Sequence, residues 1–194
     1  MNSYQIIVKG VVQGVGFRPF IFNLAEQLKI NGNVSNDSLG VTINVTTSKE
    51  MLDLFTTHIS LKKPPLSKID SIDVKDVAYK EYEKFEIIQS QRSISGFTIM
   101  PSDISICEEC EKELNDKSNR RFAYPFITCT NCGPRYTIIE TLPYDRKNTS
   151  MGEFKMCTDC QKEYEDPHDR RYHAQPIGCH KCGPEISLFT QLVR

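Results

Sequence analysis

This 194-residue chain has no block of like charge, no long apolar run and no leader-type start, and its first 106 residues contain no cysteine. Lysine and arginine together number 24 against 25 acidic residues, for a net charge of −1, and the charges are spread through both halves. Nucleic-acid binding therefore receives no electrostatic support. The start lacks a basic segment followed by an apolar one, and no apolar stretch could cross a bilayer. A cytoplasmic protein with neither nucleic acid nor membrane as partner is expected. That compartment keeps thiols reduced, so the eight cysteines, which form four Cys-x-x-Cys pairs, point to metal rather than to disulfides. The length suits one ordinary domain plus a smaller one. The expected division is residues 1–90, a mixed connector over 91–106, and a cysteine-bearing unit over 107–194.

The first unit is organised around the stretch from Gly10 to Phe20, Gly-Val-Val-Gln-Gly-Val-Gly-Phe-Arg-Pro-Phe. An apolar run, Tyr4 to Val8, precedes it as a strand. Ile21 to Leu28 follows with apolar residues at helical spacing, and Pro19 suits a first helical turn. A strand, a glycine-punctuated turn and a helix start make a concave row of backbone N–H groups that can hold a phosphate without a metal. The planar guanidinium of Arg18 can grip two oxygens of one phosphoryl group. By spacing alone, a plain connecting turn with a solvated arginine remains the alternative. The loop lacks the Gly-Lys-Ser/Thr of a Walker loop and the glycine spacing of a dinucleotide fingerprint.

Lys29 to Gly32 reads as a helix end with a glycine just past it. A short strand over 33–36, a turn at Asp37-Ser38-Leu39-Gly40 and an alternating strand over 41–46 form a hairpin. Ser48 caps a helix through Met51, Leu52, Leu54, Phe55, His58 and Ile59, which Lys62-Lys63-Pro64-Pro65 ends. Strands over 69–77 and 85–88 complete the order βαββαβ, with a terminal hairpin as the alternative. This is the α+β, ferredoxin-like split βαβ arrangement.

The second unit repeats with a period of 50 residues. Cys107 and Cys110 are followed after 18 residues by Cys129 and Cys132; Cys157 and Cys160 are followed after 18 residues by Cys179 and Cys182. Gly-Pro follows each second pair. Arg120-Arg121-Phe122 corresponds to Arg170-Arg171-Tyr172, and Pro125-Phe126-Ile127 to Gln175-Pro176-Ile177. Four thiolates make a closed tetrahedral shell, so two structural zinc ions are expected, in modules of about 107–132 and 157–182. The repeat favours one ion per copy, with shared outer and inner pairs as the other arrangement. His168, His173 and His180 are discounted as ligands because the first copy has no counterparts. The paired arginines read as a solvated face, with a docking surface as the alternative.

Val12 to Arg18 resembles the phosphate loop of acylphosphatases, and Gly32-Asn33-Val34-Ser35-Asn36 matches that family's Gly-x-Val-x-Asn strand. The resemblance implies that Arg18 binds phosphate together with the amides of Gln13, Gly14, Val15, Gly16 and Phe17, and that Asn36 positions the attacking water. Such a unit followed by two four-cysteine modules resembles the N-terminal part of the HypF family of hydrogenase-maturation carbamoyltransferases, over essentially the whole chain. That implies hydrolysis of carbamoyl phosphate to carbamate and phosphate. In that family, downstream domains use ATP to pass the carbamoyl group to a C-terminal cysteine of a partner protein, for the cyanide ligands of [NiFe]-hydrogenase. The chain stops at Arg194, before those domains, and reads as an N-terminal piece that should not carbamoylate the partner. Two alternatives stand beside this reading: a non-catalytic, zinc-stabilised interaction module binding a phosphorylated ligand, and a plain acylphosphatase with an unrelated zinc appendage.

Overall fold

The structure, a computed structural model, describes residues 1–37, 40–90 and 102–188. The centre of the turn expected at 37–40 and most of the connector expected at 91–106 lie outside the described residues. The first unit comprises β1 (Asn2–Val11), α1 (Phe17–Leu28), β2 (Asn31–Asp37), β3 (Gly40–Thr47), α2 (Lys49–Leu61), β4 (Lys68–Val77) and β5 (Phe85–Ile87). The sheet order is β4-β1-β3-β2-β5. The first four strands pair antiparallel, as a split βαβ arrangement requires.

Alternation along β1 and β3 places the core. Tyr4, Ile6 and Val8 stand opposite Val45, Ile43 and Val41 in register, and all six are buried. The same face receives Phe17, Ile21, Leu24 and Ala25 of α1 and Leu52, Phe55 and Ile59 of α2. At helical spacing these form one apolar stripe per helix, and each fully buried large side chain contributes about 1.5–3 kcal/mol. The expected cap is present, with the Met51 N–H donating to Ser48 Oγ at 3.3 Å.

One alternative is excluded and one expectation needs correction. The terminal hairpin does not form: β4 pairs with β1 at one edge, while β5 pairs parallel to β2 at the other. Local alternation cannot distinguish these edges. The α1 terminus is also not a glycine stop. Lys29 takes the left-handed conformation (φ 54°), with its N–H bonding to the carbonyls of the last turn, and Gly32 lies inside β2.

The second unit contains α3 (Glu108–Asn115) and α4 (Thr158–Glu165), with short 3-10 turns between them. Its apolar clusters are small and are built largely from the cysteines themselves. The N–H and C=O of Ile104 pair with those of Gly133, so the residues just before Cys107 pack onto the first module.

Candidate functional site

β1 delivers the chain to the glycine loop, and Gly16 is the N-cap of α1. Gly14 and Gly16 both have left-handed backbones, at φ 69° and 75°. Any other residue there would cost about 1–2 kcal/mol. A Cβ on Gly16 would also meet Thr130 Cγ2 at 3.0 Å, so the first cysteine module presses directly on the loop. Between them lies a small, partly open cavity at the start of α1, where the helix dipole favours an anion. Gly14, Gly16, Phe17 and Arg18 line it from one side, and Arg135, Tyr144 and His173 from the other.

The expected site residues divide in two. Arg18 and Asn36 come together although one begins a helix and the other ends a strand. Arg18 Nη2 donates to the Tyr144 carbonyl at 3.2 Å and Asn36 Nδ2 to the same oxygen at 3.0 Å. Both residues are buried, at 7% and 1% exposure, and Asn36 Oδ1 has no partner. Gln13 and Val15 do not turn their side chains to the cavity. Val15 sits in the core, and Gln13 donates to the carbonyls of Asp37 and Gly40 at 2.7 and 2.8 Å while accepting from the Tyr144 N–H at 3.1 Å. Gln13 therefore braces the β2–β3 hairpin against residue 144.

Four residues of the cysteine-bearing unit also face this candidate site; the sequence reading did not single out three of them, and it weighed the fourth, His173, only as a zinc ligand. Asp145 forms a buried ion pair with Arg18, its Oδ1 2.6 Å from Nη1. Tyr144 supplies the shared carbonyl, and burial pushes its phenol up to about 12. His173 is pushed down to about 4, first by burial and then by the charge of Arg18. Arg135, 1% exposed, donates to the Gly14 carbonyl, to the carbonyls of Cys132 and Pro134 at 2.6 and 3.1 Å, and to that of Thr130 at 2.9 Å. One signal for Arg135 was available, because the second copy of the repeat has Glu185 at that position. Nothing local marks Asp145.

The cysteines form two clusters, Cys107, Cys110, Cys129 and Cys132 in one and Cys157, Cys160, Cys179 and Cys182 in the other. Each copy of the repeat thus gathers its own four. The first pair of each spans a helix start, which puts positions i and i+3 on one face. Neighbouring sulfurs lie 3.4–3.8 Å apart in the first cluster and 3.5–3.7 Å apart in the second. A tetrahedron with Zn–S bonds of about 2.3 Å has edges of about 3.8 Å, so each donor set fits one zinc ion. No histidine belongs to either cluster.

The paired arginines are not a solvated face. Arg120 and Arg121 both reach Glu163 Oε2 at 2.5 Å, and both donate to Cys160 Sγ, across to the other module. Arg170 and Arg171 do the reciprocal, holding Glu113, and Arg170 donates to Cys110 Sγ at 3.3 Å. Arg121 Nε donates to the Gly178 carbonyl and Arg171 Nε to the Thr128 carbonyl, both at 2.9 Å. Apart from the Arg121–Cys160 bond, each contact recurs with the two copies exchanged, so the modules clasp one another with approximate two-fold symmetry. The arginines hold Glu163 well below the usual carboxylate range, at about 2, against the opposing effect of burial.

Residues 4–87 match the Acylphosphatase family, and residues 106–139 and 156–189 each match the HypF finger. The chain is 47% identical over 146 residues to a probable carbamoyltransferase HypF of Methanocaldococcus jannaschii, covering 74% of this chain and 19% of that protein. It is 39% identical over 88 residues to an acylphosphatase of Ligilactobacillus salivarius, covering 45% of this chain and 98% of that protein. A crystal structure of full-length HypF in a phosphate- and nucleotide-bound form superposes with a TM-score of 0.91 at 49% identity, over 96% of this chain and 25% of that one. The chain spans about one fifth of the length of the HypF relatives it matches. It belongs to the HypF family, as an acylphosphatase domain followed by two HypF fingers.

Proposed function

We propose that residues 1–90 hydrolyse carbamoyl phosphate to carbamate and phosphate. The single observation behind this reading is the convergence of Arg18 Nη2 and Asn36 Nδ2 on one oxygen, at 3.2 and 3.0 Å. In the substrate complex that position would be taken by a phosphoryl oxygen or by the attacking water. An acyl phosphate already carries a good leaving group, so hydrolysis needs mainly charge neutralisation and a water held in line. Arg18, the amides from Gln13 to Phe17 and the start of α1 supply the first. Asn36, whose Oδ1 is an unpartnered acceptor, supplies the second. The two cysteine clusters of the unit over 107–194 would each hold a structural zinc ion, since four thiolates leave no place for water or substrate.

In the wider reading this chain acts in the cytoplasm as the N-terminal part of a carbamoyltransferase of hydrogenase maturation. Domains outside it would use ATP and transfer the carbamoyl group to a partner's C-terminal cysteine. Phosphate release from carbamoyl phosphate by the zinc-loaded chain tests the hydrolytic core of the proposal. Release should exceed the spontaneous background and fall about 10²–10³-fold in folded, zinc-loaded Arg18→Ala and Asn36→Ala variants. A zinc-loaded parent that gives only background sinks it. A second reading, the zinc-stabilised module that binds a phosphorylated ligand without turnover, is favoured by one observation, the Arg18–Asp145 ion pair. It predicts phosphate binding with no release.

A further inference from the structure

The carboxylate on Arg18 comes from the fingers, and it stands where the site's ligand would place its own negative charge. Arg18 Nη1 is engaged by Asp145 Oδ1 at 2.6 Å and Nη2 by the Tyr144 carbonyl, so the fork of the guanidinium is filled from within the chain. The side chains of Arg18 and Asp145 are only 8% and 13% exposed. A phosphoryl group can be gripped by both of these nitrogens only when Asp145 leaves Nη1 and the Tyr144 carbonyl yields Nη2. A carboxylate this buried needs another donor once it does. The nearest alternatives are spoken for: the Arg146 guanidinium donates to the carbonyls of Phe154, Gln175 and Ile177, and its backbone N–H to Gln175 Oε1. Lys147 is exposed.

The ion pair stands between the phosphate cavity and a second, more open one, which Arg18, Ile87, Asp145, Lys147, His173 and Gln175 line. A ligand with its phosphoryl group on the glycine loop would extend its acyl end past Arg18 into that space. From this arrangement, and resting on the acyl-phosphate reading above, we propose that Asp145 is a specificity-determining residue. It yields Arg18 to the phosphoryl group and takes N–H donors from the acyl end in exchange. A carbamoyl group offers those donors. An acetyl group offers none and would leave the carboxylate unpaired, the kind of mismatch that separates substrates most strongly.

Two stable mimics, carbamoylphosphonate and acetylphosphonate, read this by calorimetry on the zinc-loaded chain, whether or not the protein turns over substrate. The parent should bind the carbamoyl compound at least tenfold more tightly. Asp145→Ala, which frees Arg18 and removes the acceptor, should bring the ratio near one, chiefly by tightening acetylphosphonate. Asp145→Asn should fall between. A merely structural role would weaken both ligands alike and leave the ratio intact. A parent ratio near one, as expected if Lys147 takes the released carboxylate, or an unchanged ratio in a folded Asp145→Ala variant, overturns the proposal. Phosphate release assayed in parallel tests the hydrolytic reading separately, since selective binding without turnover would contradict that reading alone.

Discussion

Arg18 and Asp145 lie 127 positions apart, and at no point does either advertise the other. Arg18 and Asn36 could be read from the sequence because a glycine loop and a strand motif bracket them within a short span. Asp145 acquires its role only when the fingers dock, so no local pattern could reveal it. The fork geometry of Arg18 makes a sharp prediction: Arg18→Lys keeps the charge but loses the bidentate grip, and should cost carbamoyl phosphate turnover about as much as Arg18→Ala, about 10²-fold or more. Steady-state phosphate release checks this, and near-parental turnover would contradict it. His173 gives a pH signature. Arg18, Asp145 and the phenols of Tyr164 and Tyr172 surround it. Its folded value, about 4, lies below the ordinary 6.5. Between these the unfolded chain binds the extra proton, so this contribution to stability is whole above about pH 6.5 and is lost as pH falls towards 4. Urea unfolding of the zinc-loaded chain at pH 7 and pH 5.5, beside His173→Gln, should show a smaller drop in the variant.

Long periodic elements of the first unit follow directly from residue spacing: β1, β3, α1 and α2 each carry an apolar face that the others complete. β5 did not show its pairing, because three residues hold no information about which edge they join. Ile43 is fully buried opposite Ile6. Ile43→Ala should therefore cost about 2–5 kcal/mol in urea denaturation. The repeat in the second unit was plain, yet its arginine pairs were misread, since a charge run looks the same whether water or the other module faces it. Their reciprocal contacts tie α4 of one module to the first cysteine module and α3 to the second. Glu163→Gln removes the carboxylate shared by Arg120 and Arg121. It should destabilise the fingers, towards the lower end of the about 3–5 kcal/mol found for broken buried pairs, because Glu163 is partly exposed. It should also speed zinc loss to a chelator from both modules rather than one, as metal release measured against the parent would report.

At the scale of the whole molecule the acylphosphatase domain owns its core, while the fingers own little beyond cysteines, a few apolar residues and the arginine clasp. Zinc binding should therefore be folding free energy for the cysteine-bearing unit but not for the sheet. Chelation is expected to collapse amide protection in α3 and α4 and to leave β1 and β3 protected in hydrogen exchange. Simultaneous loss in both units would show that the sheet depends on the fingers. The proposed site lies where these units meet: the loop and Asn36 come from one, and Tyr144, Asp145 and Arg135 from the other. The most direct test is a titration of the zinc-loaded chain with inorganic phosphate, followed residue by residue in amide NMR spectra. The amides from Gly14 to Arg18, the Asn36 side-chain amide and the backbone amides of Tyr144 and Asp145 should shift together along one binding curve. Saturating phosphate that leaves these resonances in place, or perturbs a different surface, would contradict the account.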